Sequence, residues 1–406
     1  MSEEFDGPDS LSPRARRAMP LIAGALATIV VAGLIYLHPA LLQPPRSPVP
    51  TRSPGALVVT TQFSTAYDFV TPSTGWALVE DPATTAPRFW VFRTTDGAQH
   101  WQLQYAGTAA FSYDSALTLQ FFDARNGFIA LSGVQSVYRT QDGGANWTAL
   151  SMPVASFASL FFSDRLHGWV LGTQVSPDQI VSVHFYSTSD GGDDWVALPP
   201  PPAWQFGGKG GPTSAPVFRS AQEGWMGGAT QSQATVFSTI DGGISWQAHP
   251  LPVQSAQGGV LEGIGVPLVQ ADVSLIPGAG VLAVAYGLDG TAVGLTSFDG
   301  GSTWRRISPA PGETSYGDFV FQDTFHWWAT RYGTLWKSSD AGQTWKQVSQ
   351  QLDDWDYHPH VIDATHAWAE LSTSPSPGGQ VLPGAGLAMT ADAGLHWKQV
   401  NALQPG

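Results

Sequence analysis

Two patterns of hydrophobic and polar residues divide the chain. Over residues 19–37 (MPLIAGALATIVVAGLIYL) nineteen positions pass without a charge. At a rise of about 1.5 Å per residue, such a helix comes close to spanning a hydrocarbon core of roughly 30 Å. The apolar run of a cleaved signal peptide is usually about 7–15 residues, so the length predicts an uncleaved anchor. From residue 56 onward the chain changes to short runs of alternating apolar and polar residues, such as RFWVFRT at 88–94 and HWQLQYA at 100–106. A period of two marks strands with one face buried, and the Gly- and Asp-rich stretches between them mark tight turns.

One eight-residue phrase recurs seven times. It reads TTDGAQHW at 94–101, TQDGGANW at 140–147, TSDGGDDW at 188–195 and TIDGGISW at 239–246. It continues as SFDGGSTW at 297–304, SSDAGQTW at 338–345 and TADAGLHW at 390–397. The aspartates are Asp96, Asp142, Asp190, Asp241, Asp299, Asp340 and Asp392, spaced 41 to 58 residues apart, the length of a four-stranded blade. Asp-Gly-Gly between strand-like runs predicts a hairpin turn, because glycine reaches positive φ without steric cost. The Ser or Thr hydroxyl and the Asp carboxylate can satisfy backbone groups inside that turn, and the Trp covers the hairpin. Ala98, Ala341 and Ala393 replace one glycine in three copies.

A second element precedes each box: an aromatic residue seven positions before another aromatic that usually follows Gly. The pairs are Phe69 and Trp76, Phe121 and Phe128, Phe162 and Trp169, Phe218 and Trp225, Phe321 and Trp328. Val361 and Trp368 keep the spacing, and the fifth repeat reads VLAVAYG at 281–287 instead. These positions predict the first and second strands of each blade, with the third leading into the box and the fourth leaving it. The expected fold is all-β, a seven-bladed β-propeller over residues 56–406, preceded by one transmembrane helix. An extra strand at 56–62 (ALVVTTQ) is expected as well.

Orientation follows from charge. Arg14, Arg16 and Arg17 crowd one end of the apolar run, whereas Arg46 and Arg52 lie more sparsely beyond it. The denser cluster puts residues 1–18 in the cytoplasm, the anchor at 19–38 and the propeller outside the membrane. Residues 39–55 form a Pro-rich, semi-rigid spacer. The chain has no cysteine, which excludes disulfides, thiolate metal sites and a cysteine nucleophile. Its net charge of −14 repels phosphate backbones, so nucleic acid is not an expected partner. No cofactor is implied.

A carboxylate repeated at seven equivalent turns is a structural device, because one active site has no use for seven copies. Binding residues are expected where the repeat is interrupted, on the face opposite the boxes. The interruptions are 199–216 with Trp204 and Lys209, the Gly-rich stretch 254–270, the stretch 352–360, and 373–386. Residues Asp353, Asp354, Trp355, Asp356, Tyr357, His358 and His360 make the densest polar and aromatic cluster, read here as a connecting loop. Acids beside aromatics suit a sugar or a basic peptide; the spacing matches no metal-ligand pattern, so no metal is expected. Asn146-Trp147-Thr148 matches a glycosylation sequon but falls inside a box.

The repeated phrase is an Asp-box, and seven copies with their preceding Gly-Trp phrases resemble the photosystem II stability and assembly-factor family of propellers. That resemblance covers residues 56–406 and implies a propeller that holds a membrane-protein intermediate on the exterior side. Asp-boxes also occur in sialidases and xyloglucan-degrading propellers. A sialidase would need an arginine cluster and an Arg-Ile-Pro phrase, and the chain lacks that phrase. Arg93, Arg139, Arg305 and Arg306 adjoin boxes instead. Another glycoside hydrolase needs only two opposed carboxylates roughly 5–10 Å apart, with Asp353, Asp356 or Glu313 as candidates. The expected function is therefore a membrane-tethered, non-catalytic scaffold for a protein partner, with a glycan hydrolase as the alternative.

Overall fold

The computed structural model describes residues 64–81, 88–108, 117–131, 136–154, 157–175, 181–200, 215–230, 233–251, 268–287, 292–308, 319–331, 334–349, 355–373 and 382–400. The expected tail, anchor, spacer and extra strand at 56–62 lie outside these residues. Among the described residues no helix is long and apolar enough to cross a membrane.

The described strands form seven antiparallel four-stranded sheets. Blade 1 holds β1 (Ser64–Phe69), β2 (Gly75–Asp81), β3 (Arg88–Thr94) and β4 (Gln102–Thr108). Blade 2 holds β5 (Leu117–Phe121), β6 (Gly127–Leu131), β7 (Ser136–Thr140) and β8 (Thr148–Leu150). Blade 3 holds β9 (Phe157–Phe162), β10 (Gly168–Val175), β11 (Val181–Thr188) and β12 (Val196–Leu198). Blade 4 holds β13 (Val217–Phe218), β14 (Gly224–Thr230), β15 (Gln233–Thr239) and β16 (Gln247–Pro250). Blade 5 holds β17 (Leu268–Leu275), β18 (Val281–Gly287), β19 (Ala292–Ser297) and β20 (Arg305–Arg306). Blade 6 holds β21 (Phe319–Phe321), β22 (Trp327–Arg331), β23 (Thr334–Ser338) and β24 (Lys346–Ser349). Blade 7 holds β25 (Trp355–Val361), β26 (Ala367–Thr373), β27 (Leu382–Thr390) and β28 (Lys398–Val400). Each blade is contiguous in sequence, as the repeat predicts.

The aromatic pairs build the seams between blades. In blade 1, Phe69 pairs across the ladder with Gly75, and Asp68 pairs with Trp76. A Cβ added at Gly75 would fall inside the Phe69 ring, and the same holds at Gly127 under Phe121, Gly168 under Phe162 and Gly224 under Phe218. That close approach explains the glycine before the second aromatic. Trp76 then stacks on Phe121 of blade 2 at 3.5 Å and 4°, Phe128 on Phe162 of blade 3 at 3.9 Å, and Trp169 on Phe218 of blade 4 at 3.6 Å. The first aromatic of one blade is thus the partner of the second aromatic of the preceding blade. Blade 5 has no aromatic there and packs aliphatic Ala271 and Val273 against Trp225.

The ring closes by side-chain packing of blade 1 on blade 7. Trp368 meets Phe69 at 5.5 Å and Tyr67 at 6.3 Å, and the Tyr67 N–H donates to Glu370 Oε1 at 3.2 Å.

Three stretches expected to be interrupting loops are corrected in part. The stretch 352–360 is not a loop throughout, because residues 355–361 form β25, the first strand of blade 7, paired to β26 in full register. Similarly, 268–270 open β17, and 382–386 open β27. Polar side chains in WDYHPHV masked the strand period, yet the pairing of His360 with Trp368 matches that of Asp68 with Trp76.

Candidate functional site

The boxes share one geometry. In each, the hydroxyl of the leading Ser or Thr donates to the Asp carboxylate, as from Thr239 to Asp241 at 2.8 Å, and accepts the N–H four residues on, here Gly243 at 3.0 Å. The carboxylate also takes the Ser245 N–H at 2.9 Å and the Ser245 hydroxyl at 2.5 Å. These donors hold Asp241 down at about 2; His100 does the same for Asp96, and His396 for Asp392. Asn146 donates its side-chain amide to Asp142 at 2.7 Å, which places the sequon's amide inside the turn. Both residues after the Asp adopt positive φ, including Ala98 at 62°, Ala341 at 57° and Ala393 at 60°.

Each box also docks on its neighbours. The Trp76 indole N–H donates to Gly143 O of the next blade's box at 2.9 Å, and Trp169 donates to Gly242 O at 2.9 Å. Blade 2 has Phe128 at that place, which carries no N–H. There the Arg139 guanidinium donates to Gly191 O at 3.0 Å and Asp190 O at 2.9 Å, and pairs with Asp193. Arg139, singled out as adjoining a box, is therefore an inter-blade clamp.

The turn between the first two strands lies beside the box of the same blade. Gly97 N–H donates to Ser73 O at 2.9 Å, Gly143 to Arg125 O at 2.8 Å and Ala341 to Phe325 O at 3.0 Å. These turns and the boxes form one face of the ring, and the other ends of the strands make the opposite edge.

Of the residues expected to bind on that opposite edge, Trp204, Lys209, Asp353, Asp354 and Glu313 lie outside the described residues. Trp355, Asp356, Tyr357 and His358 lie on β25, and His360 is exposed and stacks on Trp368 at 4.0 Å and 6°. Among the described residues no group of three or more His, Asp or Glu could hold a metal ion.

Two carboxylates that the sequence did not single out sit between blades. Asp68 Oδ2 accepts the Phe121 N–H of blade 2 at 2.6 Å, and burial pushes its carboxyl up to about 6. Asp272 lines a cleft of about 170 Å³ with Ser274, Leu282, Val284 and Tyr286 of blade 5 and Phe319 and Phe321 of blade 6. Burial first, and then Asp272 beside it, raise the Tyr286 phenol above its ordinary range. The cleft is smaller than the roughly 300–1,000 Å³ of a typical ligand pocket, so it fits a single side chain. An acid within an apolar first strand, as in STAYDF and ADVSL, was the available signal.

The sequence matches no protein-family model and no curated protein. Solved structures do match in shape. YCF48 from Cyanidioschyzon merolae aligns at 18% identity with a TM-score of 0.49, over 73% of this chain and 88% of that one. The GH74 enzyme of Niastella koreensis aligns at 16% identity with a TM-score of 0.34, over 83% of this chain and 62% of that one. YCF48 bound to D1 peptide aligns at 16% identity with a TM-score of 0.52, over 85% of this chain and 99% of that one. The chain is a seven-bladed β-propeller, similar in fold to that peptide-bound propeller.

Proposed function

We propose that the chain is a membrane-anchored exterior propeller that binds a protein partner and carries out no reaction itself. The observation that carries this reading is the commitment of all seven repeated carboxylates to their own turns, each accepting from its box hydroxyl at 2.8–3.0 Å. Groups locked in that way build a rigid ring for presenting surface. The peptide-bound state of YCF48 supports the same use of this fold. The apolar run at 19–37 and the Pro-rich spacer would hold the ring close to its client at the membrane.

The test is crosslinking and co-purification of the full chain from its native membranes, beside a glycan-hydrolysis screen. A protein recovered in stoichiometric amount is the expected result. Glycan turnover that disappears in an Asp353→Asn, Asp356→Asn variant would replace the scaffold with a hydrolase.

A further inference from the structure

Among the described residues, the large hydrophobic side chains that remain exposed are Val196, Ile240, Ile244, Phe298, Phe325 and Leu395. All belong to boxes, to the residue after a box, or to a turn beside a box. Isolated surface hydrophobics are ordinary, and several on one surface mark an interaction site. Ile240 is 81% exposed and Phe325 57%, so core packing does not account for either. The repeat does not ask for them. The place of Ile240 and Phe298 is taken by Thr95, Gln141, Ser189, Ser339 and Ala391 in the other copies.

Three of them, Ile240, Phe298 and Phe325, mark an arc of this face over blades 4, 5 and 6. Arg219 of blade 4 donates to Gly280 O in the first turn of blade 5 at 2.5 Å. The Phe298 ring lies against that same Gly280. Thr324, next to Phe325, donates its hydroxyl to Pro277 O of the same turn at 2.8 Å. Ile240 is the second residue of the box of blade 4, and Pro277, Gly278 and Ala279 are exposed in the first turn of blade 5. Asp241, Asp299, Asp323 and Asp340 flank the arc, and the donors within their turns keep each of them ionised. Arg305 and Arg306 lie on β20, the outermost strand of blade 5.

We infer that this arc, centred on Ile240, Phe298 and Phe325, is the docking surface for a basic, amphipathic segment of the protein partner. The inference rests on the protein-binding reading above and names its surface. Apolar side chains of the segment cover the arc, and its lysines or arginines meet the flanking carboxylates. The same carboxylates repel an anionic bilayer surface. The box face, built by the repeat, thus carries the recognition at the few positions where the repeat leaves residue type open.

The probe is a fluorescent peptide of alternating leucine and lysine, compared with a serine–lysine and a leucine–glutamate peptide, titrated with the full chain in detergent. The leucine–lysine peptide is expected to bind at least about tenfold more tightly than either control, since each buried apolar side chain adds up to that much affinity. An Ile240→Ser, Phe325→Ser variant should erase that preference while keeping the unfolding midpoint of the parent. A preference that survives in the variant, or equal binding of the leucine–glutamate peptide, overturns the inference. So does variant-sensitive binding to vesicles of phosphatidylglycerol. A photo-crosslinking residue placed at Ile240 and, separately, at Thr334 on the opposite edge separates the two readings in membranes. Protein adducts from position 334 alone overturn the arc and leave protein binding standing. Absence of protein adducts from both positions, with glycan turnover, ends protein binding itself.

Discussion

Replacing the second-strand tryptophan should cost very different amounts in two seams that look alike. Trp76 and Trp169 both stack face to face on a neighbour's Phe and both donate an indole N–H to the next box. Changing either to Phe keeps a ring in the stack. It removes the pyrrole atoms, a loss of roughly 1–2 kcal/mol when scaled from the ~3–5 of a full truncation. It also strands a carbonyl, Gly143 O or Gly242 O, at roughly 1–3 kcal/mol. Blade 2 shows the remedy. There Phe128 occupies the stack and Arg139, the residue before the box, supplies the donor. Arg93 stands at the same position in blade 1, over the Trp76 ring at 5.3 Å and already beside Gly143. Blade 3 has Ser187 there, too short to reach.

Trp169→Phe should therefore destabilise by about 2–5 kcal/mol, and Trp76→Phe by only about 1–2, as Arg93 moves onto Gly143 O. Urea unfolding followed by far-ultraviolet circular dichroism measures both. A double-mutant cycle isolates the cause: Arg93→Ala should cost more in the Trp76→Phe background than in the parent, by about 1 kcal/mol or more. Equal costs for the two tryptophans, or no coupling in the cycle, would refute the substitution of one donor by the other.

Other consequences follow from the same seams. Gly127→Ala drives a methyl into the Phe121 ring and should destabilise by about 1–3 kcal/mol; an unchanged unfolding midpoint would contradict the packing. Arg139→Lys should cost almost as much as Arg139→Ala in the same assay, because one ammonium cannot serve two carbonyls and a carboxylate at once. Asp68 binds its proton more tightly when folded, with its carboxyl at about 6 against 3.8 for the free group. Its ionisation therefore opposes folding progressively from about pH 4 to 6. Asp68→Asn, which still accepts the Phe121 N–H, should match the parent at pH 4 and exceed it by about 2–3 kcal/mol at pH 7. A variant that gains nothing over that range would refute the burial. Asp241 has the opposite sign: held at about 2, it supports the fold above pH 4, and that support is lost as pH falls toward 2. Asp241→Ala should lower stability at pH 7 by about 1 kcal/mol, a figure kept small because the carboxylate meets solvent.

The spacing of the boxes was enough to count the blades and order their strands, because each hairpin is a local structure whose turn chemistry is written in eight consecutive residues. The Phe-to-Trp interval was equally legible as a pattern, but its meaning was not. Only the assembled ring shows that the two aromatics of one blade face different neighbours, and that the glycine is needed beneath the first ring rather than for a turn. The stretch at 352–360 misled for a related reason: its charged and aromatic residues hide a strand whose evidence is its register with β26.

By itself the sequence determined the turn geometry, the number of repeats, the acidity of the chain and the absence of thiol chemistry, all of which depend on residue type alone or within a few positions. Tertiary structure decided what those residues touch. Arg139 became a clamp and Asp68 a buried carboxyl, because each depends on groups from blades some 50 residues apart in the chain. A repeat specifies its own blade; contacts between blades arise only when the ring closes and sets each blade against the next.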